Sequence, residues 1–222
     1  MKTILKITTA LLITAGLYSC KKTGVNPSPL TSLNFTNAVI GAPTLYLNSI
    51  TDSASENNYG EFSLLAGQTG VKIYPLATPT QPFYNQTMAT MNGSYYSLFL
   101  AGASTANIDA ILIKESYKNY TDSLCGVRLI NLSPDSNPVS VDIAGNANGS
   151  EVSSLAYKAY TSFKQYPAKL ADASYNFEVR DAATGNLLAS YTLNTPYFHN
   201  VTLALTGSVN AGTTGMLQIN EF

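Results

Sequence analysis

The chain has 222 residues, of which 12 are basic and 13 acidic, and charged side chains make up only 11% of it. So sparse and balanced a charge offers no basic patch for nucleic acid. One histidine and two cysteines leave too few ligands for a zinc site. The wealth of Thr, Ser, Asn and Tyr, with 15 Tyr and no Trp, suits an exported all-β protein, because these uncharged side chains fit a pleated, half-buried surface.

In chain order, residues 1–19 read as an export signal. Lys2 and Lys6 supply a basic start, and Ile7 to Leu17 form an apolar run interrupted only by Thr and Gly. The run is far shorter than the roughly 20 residues of a membrane-spanning helix. It ends in Leu17-Tyr18-Ser19-Cys20, which resembles the lipobox of bacterial lipoproteins, with Tyr18 where a small residue is usual. The resemblance implies cleavage before Cys20 and acylation of its thiol and new amine. Lipid chains on Cys20 would make the membrane a partner, since each buried methylene contributes about 0.8 kcal/mol and a single chain holds only marginally. Without Lys2 and Lys6 the 12 basic residues fall to 10 against 13 acidic, a formal charge of −3.

Residues 20–31 read as a lipidated stalk, since Pro and Gly resist helix and sheet. Lys21, rather than Asp, follows the cysteine, which by resemblance points to the outer membrane. The acidic cluster common in surface-displayed lipoproteins of Bacteroidetes is missing, as the first acidic residue is Asp52. The protein is therefore expected to be lipid-anchored in the outer membrane, facing either the periplasm or the cell surface.

From Ser32 onward, strand-like runs alternate with turn signals. Val139, Val141 and Ile143 alternate with Ser140, Asp142 and Ala144, and Val201, Leu203 and Leu205 share one face of 199–206. That period of two predicts strands with one face in a core and one in water. Asp181 to Asn186 predicts a hairpin connection with positive φ at Gly185 and Asn186.

The same order of features occurs twice. Leu33 to Ala38 aligns with Val127 to Leu132, and Thr44 to Leu47 with Pro138 to Val141. Val71 to Ile73 aligns with Phe177 to Val179, and Tyr96 to Gly102 with Val201 to Gly207 once a one-residue shift is allowed. The expected fold is two tandem immunoglobulin-like or transthyretin-like β-sandwich domains of roughly seven strands each. They span 32–113 and 126–222, joined by a linker at 114–125, with one larger sandwich as the alternative.

Gly126-Val127-Arg128-Leu129-Ile130-Asn131-Leu132-Ser133-Pro134-Asp135-Ser136, then Val139 to Ile143, resembles the opening of domain-of-unknown-function family 4397. Leu155 to Tyr157 and Tyr175 to Asp181 continue it, whereas the first copy reads Val39-Ile40-Gly41-Ala42-Pro43 in place of the Ser-Pro-Asp turn. The resemblance implies an exported sandwich and carries no assigned activity. Physically, Pro134 presets φ for a type I turn and Ser133 or Asp135 can bond backbone amides. A calcium site from Asp135, Asn137 and Asp142 lacks the glutamate and glycine at set spacing, so no metal is expected.

Catalytic chemistry is not evident. His199 stands alone on a strand near a turn, no Gly-x-Ser-x-Gly elbow occurs, and no phosphate loop or carboxylate pair stands out. The chain is read as no enzyme and as needing no cofactor. With Cys20 lipidated, Cys125 has no disulfide partner and reads as a small apolar core residue.

The binding candidates are Tyr157, Tyr160, Phe163 and Tyr166, whose flat apolar faces suit sugar rings or an envelope protein. Core packing is their alternative use. Asp52-Ser53-Ala54 and Asp122-Ser123-Leu124 resemble O-glycosylation sites of Bacteroidetes, at Ser53 and Ser123 in turn- or linker-like regions. The sequence thus reads as a non-catalytic, membrane-anchored interaction module. The alternative is a fimbrillin-like adhesive subunit, and Arg128 as the first arginine counts against cleavage-driven strand exchange.

Overall fold

In the computed structural model the described residues are 27–120, 123–169, 174–194 and 199–221. Cys20 and residues 1–19, read above as an export signal, lie outside them. The described residues form 16 strands and no helix. The first eight are β1 (Leu30–Val39), β2 (Leu45–Leu47), β3 (Ser53–Ala54), β4 (Asn58–Leu65), β5 (Gly67–Pro75), β6 (Tyr84–Thr90), β7 (Tyr95–Ser104) and β8 (Asn107–Lys114). The second eight are β9 (Leu124–Asn131), β10 (Val139–Ile143), β11 (Val152–Leu155), β12 (Lys164–Pro167), β13 (Ser174–Asp181), β14 (Leu187–Asn194), β15 (Asn200–Thr206) and β16 (Gly215–Asn220).

The two halves have one topology. Sheet order is β4-β1-β7-β8 facing β3-β2-β5-β6, and β12-β9-β15-β16 facing β11-β10-β13-β14. Each sandwich therefore has eight strands, one more than expected. First and seventh strands pair in parallel, β1 with β7 and β9 with β15. An immunoglobulin order would group first, second, fifth and fourth strands. Here the first and second strands are in opposite sheets, which leaves the transthyretin-like of the two expected sandwiches.

The cores repeat residue by residue. Leu33, Phe35, Leu45, Leu47, Val71, Ile73, Leu98 and Leu100 fill the first. Val127, Leu129, Val139, Val141, Phe177, Val179, Leu203 and Leu205 fill the second. Phe35 lies opposite Leu98 and Leu129 opposite Leu203, so the last aligned segment needs no one-residue shift. Asn37 and Asn131 make the same bonds: each side-chain amide donates to a third-strand carbonyl, Ala54 or Leu155, and each carbonyl accepts an N–H two residues on. Gly102 and Gly207 match as well, since an added Cβ would stand 1.9 Å from the Asn107 carbonyl oxygen or 2.3 Å from that of Thr213.

Several boundaries shift. β1 starts at Leu30, inside the stretch read as stalk, and β9 starts at Leu124, inside the stretch read as linker. Cys125 is fully buried in the second core, and burial pushes its thiol up to about 11. At the Asp181–Asn186 hairpin Gly185 alone takes positive φ, at 74°. The Asp181 carboxylate accepts the N–H groups of Ala183 and Thr184 there.

The larger correction concerns the faces expected in water. Every residue of β15 is buried. Thr202, Ala204 and Thr206 face the other sandwich rather than solvent, because the sheets β4-β1-β7-β8 and β12-β9-β15-β16 pack against each other. Between them lies a third apolar cluster: Ala38, Phe99, Ala101 and Ile113 from the first copy, and Ile130, Leu132, Ala204 and Ile219 from the second. Ala38/Leu132, Phe99/Ala204 and Ile113/Ile219 are equivalent positions, so the seam is isologous, as in a two-fold dimer. Burying each larger side chain contributes about 1.5–3 kcal/mol.

Candidate functional site

The seam carries charge as well as apolar surface. Arg128, on the outward face of β9, is 2% exposed. One of its guanidinium nitrogens lies 2.9 Å from Glu115, which follows β8, and another lies 3.0 Å from Glu221, which follows β16. Its Nε donates to Thr202 Oγ1 at 3.0 Å. The two glutamates are equivalents: the Glu115 N–H donates to the Tyr95 carbonyl and the Glu221 N–H to the Asn200 carbonyl, each just before the seventh strand continues. Tyr117 donates its hydroxyl hydrogen to Glu221 at 2.7 Å. Burial pushes the Glu115 carboxyl above its ordinary range, and Glu221 adds to that, outweighing Arg128 and Ser97. Burial together with the charges of Glu221 and Glu115 also drives the Tyr117 hydroxyl well above the usual tyrosine range.

Beside this network the seam opens into a cleft of about 420 Å³. Arg128 and Glu115 form its floor; Tyr160, Phe163, Tyr120 and Lys118 form its sides. The chain before β12 is laid along β9. Tyr160 bridges to Ile130, the Thr161 N–H donates to the Leu129 carbonyl, and the Leu129 N–H donates to Thr161 Oγ1. That docking sets Tyr160 beside Arg128, 5.9 Å from guanidinium carbon to ring centre, with Phe163 at 4.7 Å. Tyr160 is 48% exposed, and Thr161, Ser162 and Gln165 supply neutral hydrogen-bonding groups around it.

The four expected aromatics therefore divide. Tyr160 and Phe163 line the cleft. Tyr166 is a core residue, 5% exposed, edge-packed on Phe177 at 5.7 Å and bonded to Glu151, so it faces no ligand. Its alternation along β12 places it inward. Tyr157 packs against the seam cluster and donates to Asp109 at 3.0 Å. In the sequence Arg128 stands out only as the first arginine and within the Gly126–Ser136 stretch, and Glu115 is not among the candidate residues. Their signal was an arginine inside the otherwise apolar run 126–132 and a glutamate ending a strand at matching places in both copies.

The remaining candidates do not join the cleft. His199 is exposed, immediately before β15. Ser53 sits half-buried in β3 rather than in a turn, and Ser123 half-buried directly before β9. Asp135, Asn137 and Asp142 are aimed apart. Asp135 accepts the Ser208 hydroxyl and the N–H groups of Val209 and Asn210, Asn137 donates to Asp181, and Asp142 faces Arg180 at 3.5 Å. Burial raises Asp135, but those bonds outweigh it and lower its carboxyl. The Ser-Pro-Asp turn thus ties the β9–β10 loop to the β15–β16 loop, with the Ser136 N–H closing on the Ser133 carbonyl at 3.3 Å. A larger depression of about 530 Å³ lies at the opposite end of the first sandwich, among Pro43, Pro75, Pro82 and Phe83. Its lining residues are uncharged, with Thr78, Gln81 and Thr105 as its polar groups.

No family model matches the chain, and no curated protein matches it. Among solved structures it is similar to one of family 41 carbohydrate-binding modules from streptococcal virulence factors, a study of α-glucan recognition. The likeness covers 80% of this chain and 94% of the other at 13% identity and a TM-score of 0.28. That distance assigns no ligand to the cleft.

Proposed function

We propose that this protein is a non-catalytic binding module of the bacterial envelope, anchored in the outer membrane by lipid on Cys20, that holds saccharide in the seam cleft. The observation that carries the reading is the exposed Tyr160 ring, set over a rigid charged floor and ringed by Thr161, Ser162 and Gln165. A flat apolar face with hydroxyl and amide groups around it meets both faces of a sugar, the C–H patch by stacking and the hydroxyl rim by hydrogen bonds. Catalysis is disfavoured by the arrangement of the reactive groups: Cys125 is buried with a raised thiol, Glu115 is held 2.9 Å from Arg128, and Lys158 pairs with Asp109 at 2.9 Å. The anchor is supported by the Leu17–Cys20 run. Membership of the second sandwich in family 4397 is supported by the Ser133-Pro134-Asp135 turn.

Binding of the purified protein to a broad polysaccharide panel tests the reading. At least one saccharide is expected to bind. Tyr160→Ala is expected to weaken it about tenfold, the equivalent of roughly 1.4 kcal/mol of lost stacking, with the melting temperature unchanged. Failure to bind any saccharide, or binding indifferent to Tyr160→Ala, would overturn it.

A further inference from the structure

The end of the first sandwich from which the chain leads back to Cys20 carries an apolar tip. Leu30, Leu65, Met91 and Tyr95 are 47%, 60%, 58% and 36% exposed. They lie at one end of the sandwich, where β1 and β7 begin and β4 finishes. Leu30 and Leu65 are cross-strand partners on β1 and β4. The Leu30 N–H donates to Asn92 Oδ1 at 3.0 Å, and its carbonyl accepts the Gly93 N–H at 2.8 Å, which fixes the turn bearing Met91 beside it. Lys114 Nζ lies 3.1 Å from Met91 Sδ, and the Tyr95 ring packs edge-on against Tyr117 at 5.6 Å. Large apolar side chains gathered at one tip mark an interaction surface.

The chain itself indicates what meets that tip. Cys20 stands ten residues before Leu30, and a chain extends by at most about 3.6 Å per residue. An acylated Cys20 therefore keeps the tip within roughly 36 Å of the bilayer, where tethering raises its effective concentration at the lipid surface. The exposed charge nearby is basic, with Lys114 at the tip beside a Glu115 that is buried against Arg128, and Lys21 and Lys22 next to the cysteine. Lysines draw a segment to anionic headgroups, tyrosine favours the interface, and leucine and methionine favour its apolar side.

We infer that this tip docks on an anionic bilayer, with Leu30, Leu65 and Met91 entering the boundary between headgroups and acyl chains. The inference rests on the reading that Cys20 is acylated. It fixes which end of the protein faces the membrane and leaves the far end of the first sandwich, around Ala106, pointing away.

The test uses the full lipidated protein in vesicles of phosphatidylethanolamine and phosphatidylglycerol, with a polarity-sensitive fluorophore on Met91→Cys or, as control, on Ala106→Cys. Cys125 is buried and stays unlabelled. The label at 91 is expected to shift blue and to be quenched by lipids carrying a nitroxide near the headgroup, and the label at 106 to remain in water. Adding Leu65→Ser is expected to weaken the quenching at 91. Equal exposure of both labels to water overturns the docking, as does a label at 91 shielded without lipid quenching, which would mean that the chain covers its own tip. Intact mass of the same preparation separates the two readings: no acyl mass on Cys20 removes the anchor and the docking together, whereas acyl mass with a wet label removes the docking alone.

Discussion

Asn34 and Arg128 occupy the same place in the two sandwiches, one residue before the core side chains Phe35 and Leu129. On the second copy's side, Arg128 gathers both glutamates and Thr202. On the first, the Asn34 amide reaches Glu221 at 3.4 Å, while Asn34 Oδ1 and Thr36 Oγ1 are buried without a hydrogen-bond partner among the described residues. The seam thus has symmetric packing and asymmetric charge: two buried carboxylates share one guanidinium. Two identical copies would bring either two arginines or none, so this seam suits the fused chain rather than a pair of equal subunits. Difference between the copies is what makes the charges compatible.

The sharpest way to break that comparison is Arg128→Met. It leaves Glu115 and Glu221 buried without their cation, and loss of one partner of a buried pair costs about 3–5 kcal/mol. Chemical denaturation at neutral pH should show that loss, and adding Glu115→Gln and Glu221→Gln should restore most of it. The shared features should instead respond alike. Asn37→Ala and Asn131→Ala each strand buried backbone carbonyls of the third strand, so each is expected to cost about 1–3 kcal/mol in the same assay. A large cost in one copy alone would mean that their bonds are not equivalent.

The opposite sign is expected at Thr36, whose counterpart is Ile130. Thr36→Val removes a buried unpaired hydroxyl from an apolar surface and should stabilise the protein by about 1 kcal/mol, seen as a raised melting temperature. The smallest effect concerns pH. The Glu115 carboxyl is raised mainly by burial, so it favours the folded state fully below its unfolded value. That contribution is lost as pH rises through the higher folded value. Glu115→Gln should flatten this part of the stability–pH curve, while Asp109 and Asp135, both lowered, keep their opposite slope. Asp109 is lowered chiefly by its bond from Lys158. A steeper acid-side gain in the variant would contradict the burial of Glu115.

Much of the fold was readable because a sandwich core repeats locally. Leu33/Val127, Phe35/Leu129 and Leu47/Val141 alternate with a period of two, which fixes inward and outward within each strand whatever lies beyond. The Asn37/Asn131 match was readable too, although its reason, a side-chain bridge to the third strand, was not. The candidate site was half readable. Tyr160 and Phe163 were named for their chemistry, yet nothing in their spacing separated them from Tyr166, which differs only in pointing inward.

The sequence by itself determined the two repeats, their strands and the inward face of each, since these follow from alternation and turn chemistry within a few dozen residues. Tertiary structure decided what covers the outward faces. Thr202, Ala204 and Thr206 are small or polar and look the same to a local pattern whether water or a second sheet lies against them. The cleft belongs to that second class. Its floor joins Glu115 and Arg128, with Glu221 paired to Arg128 beneath, from distant parts of the chain, and packing between the sandwiches alone removes the water that would otherwise separate them.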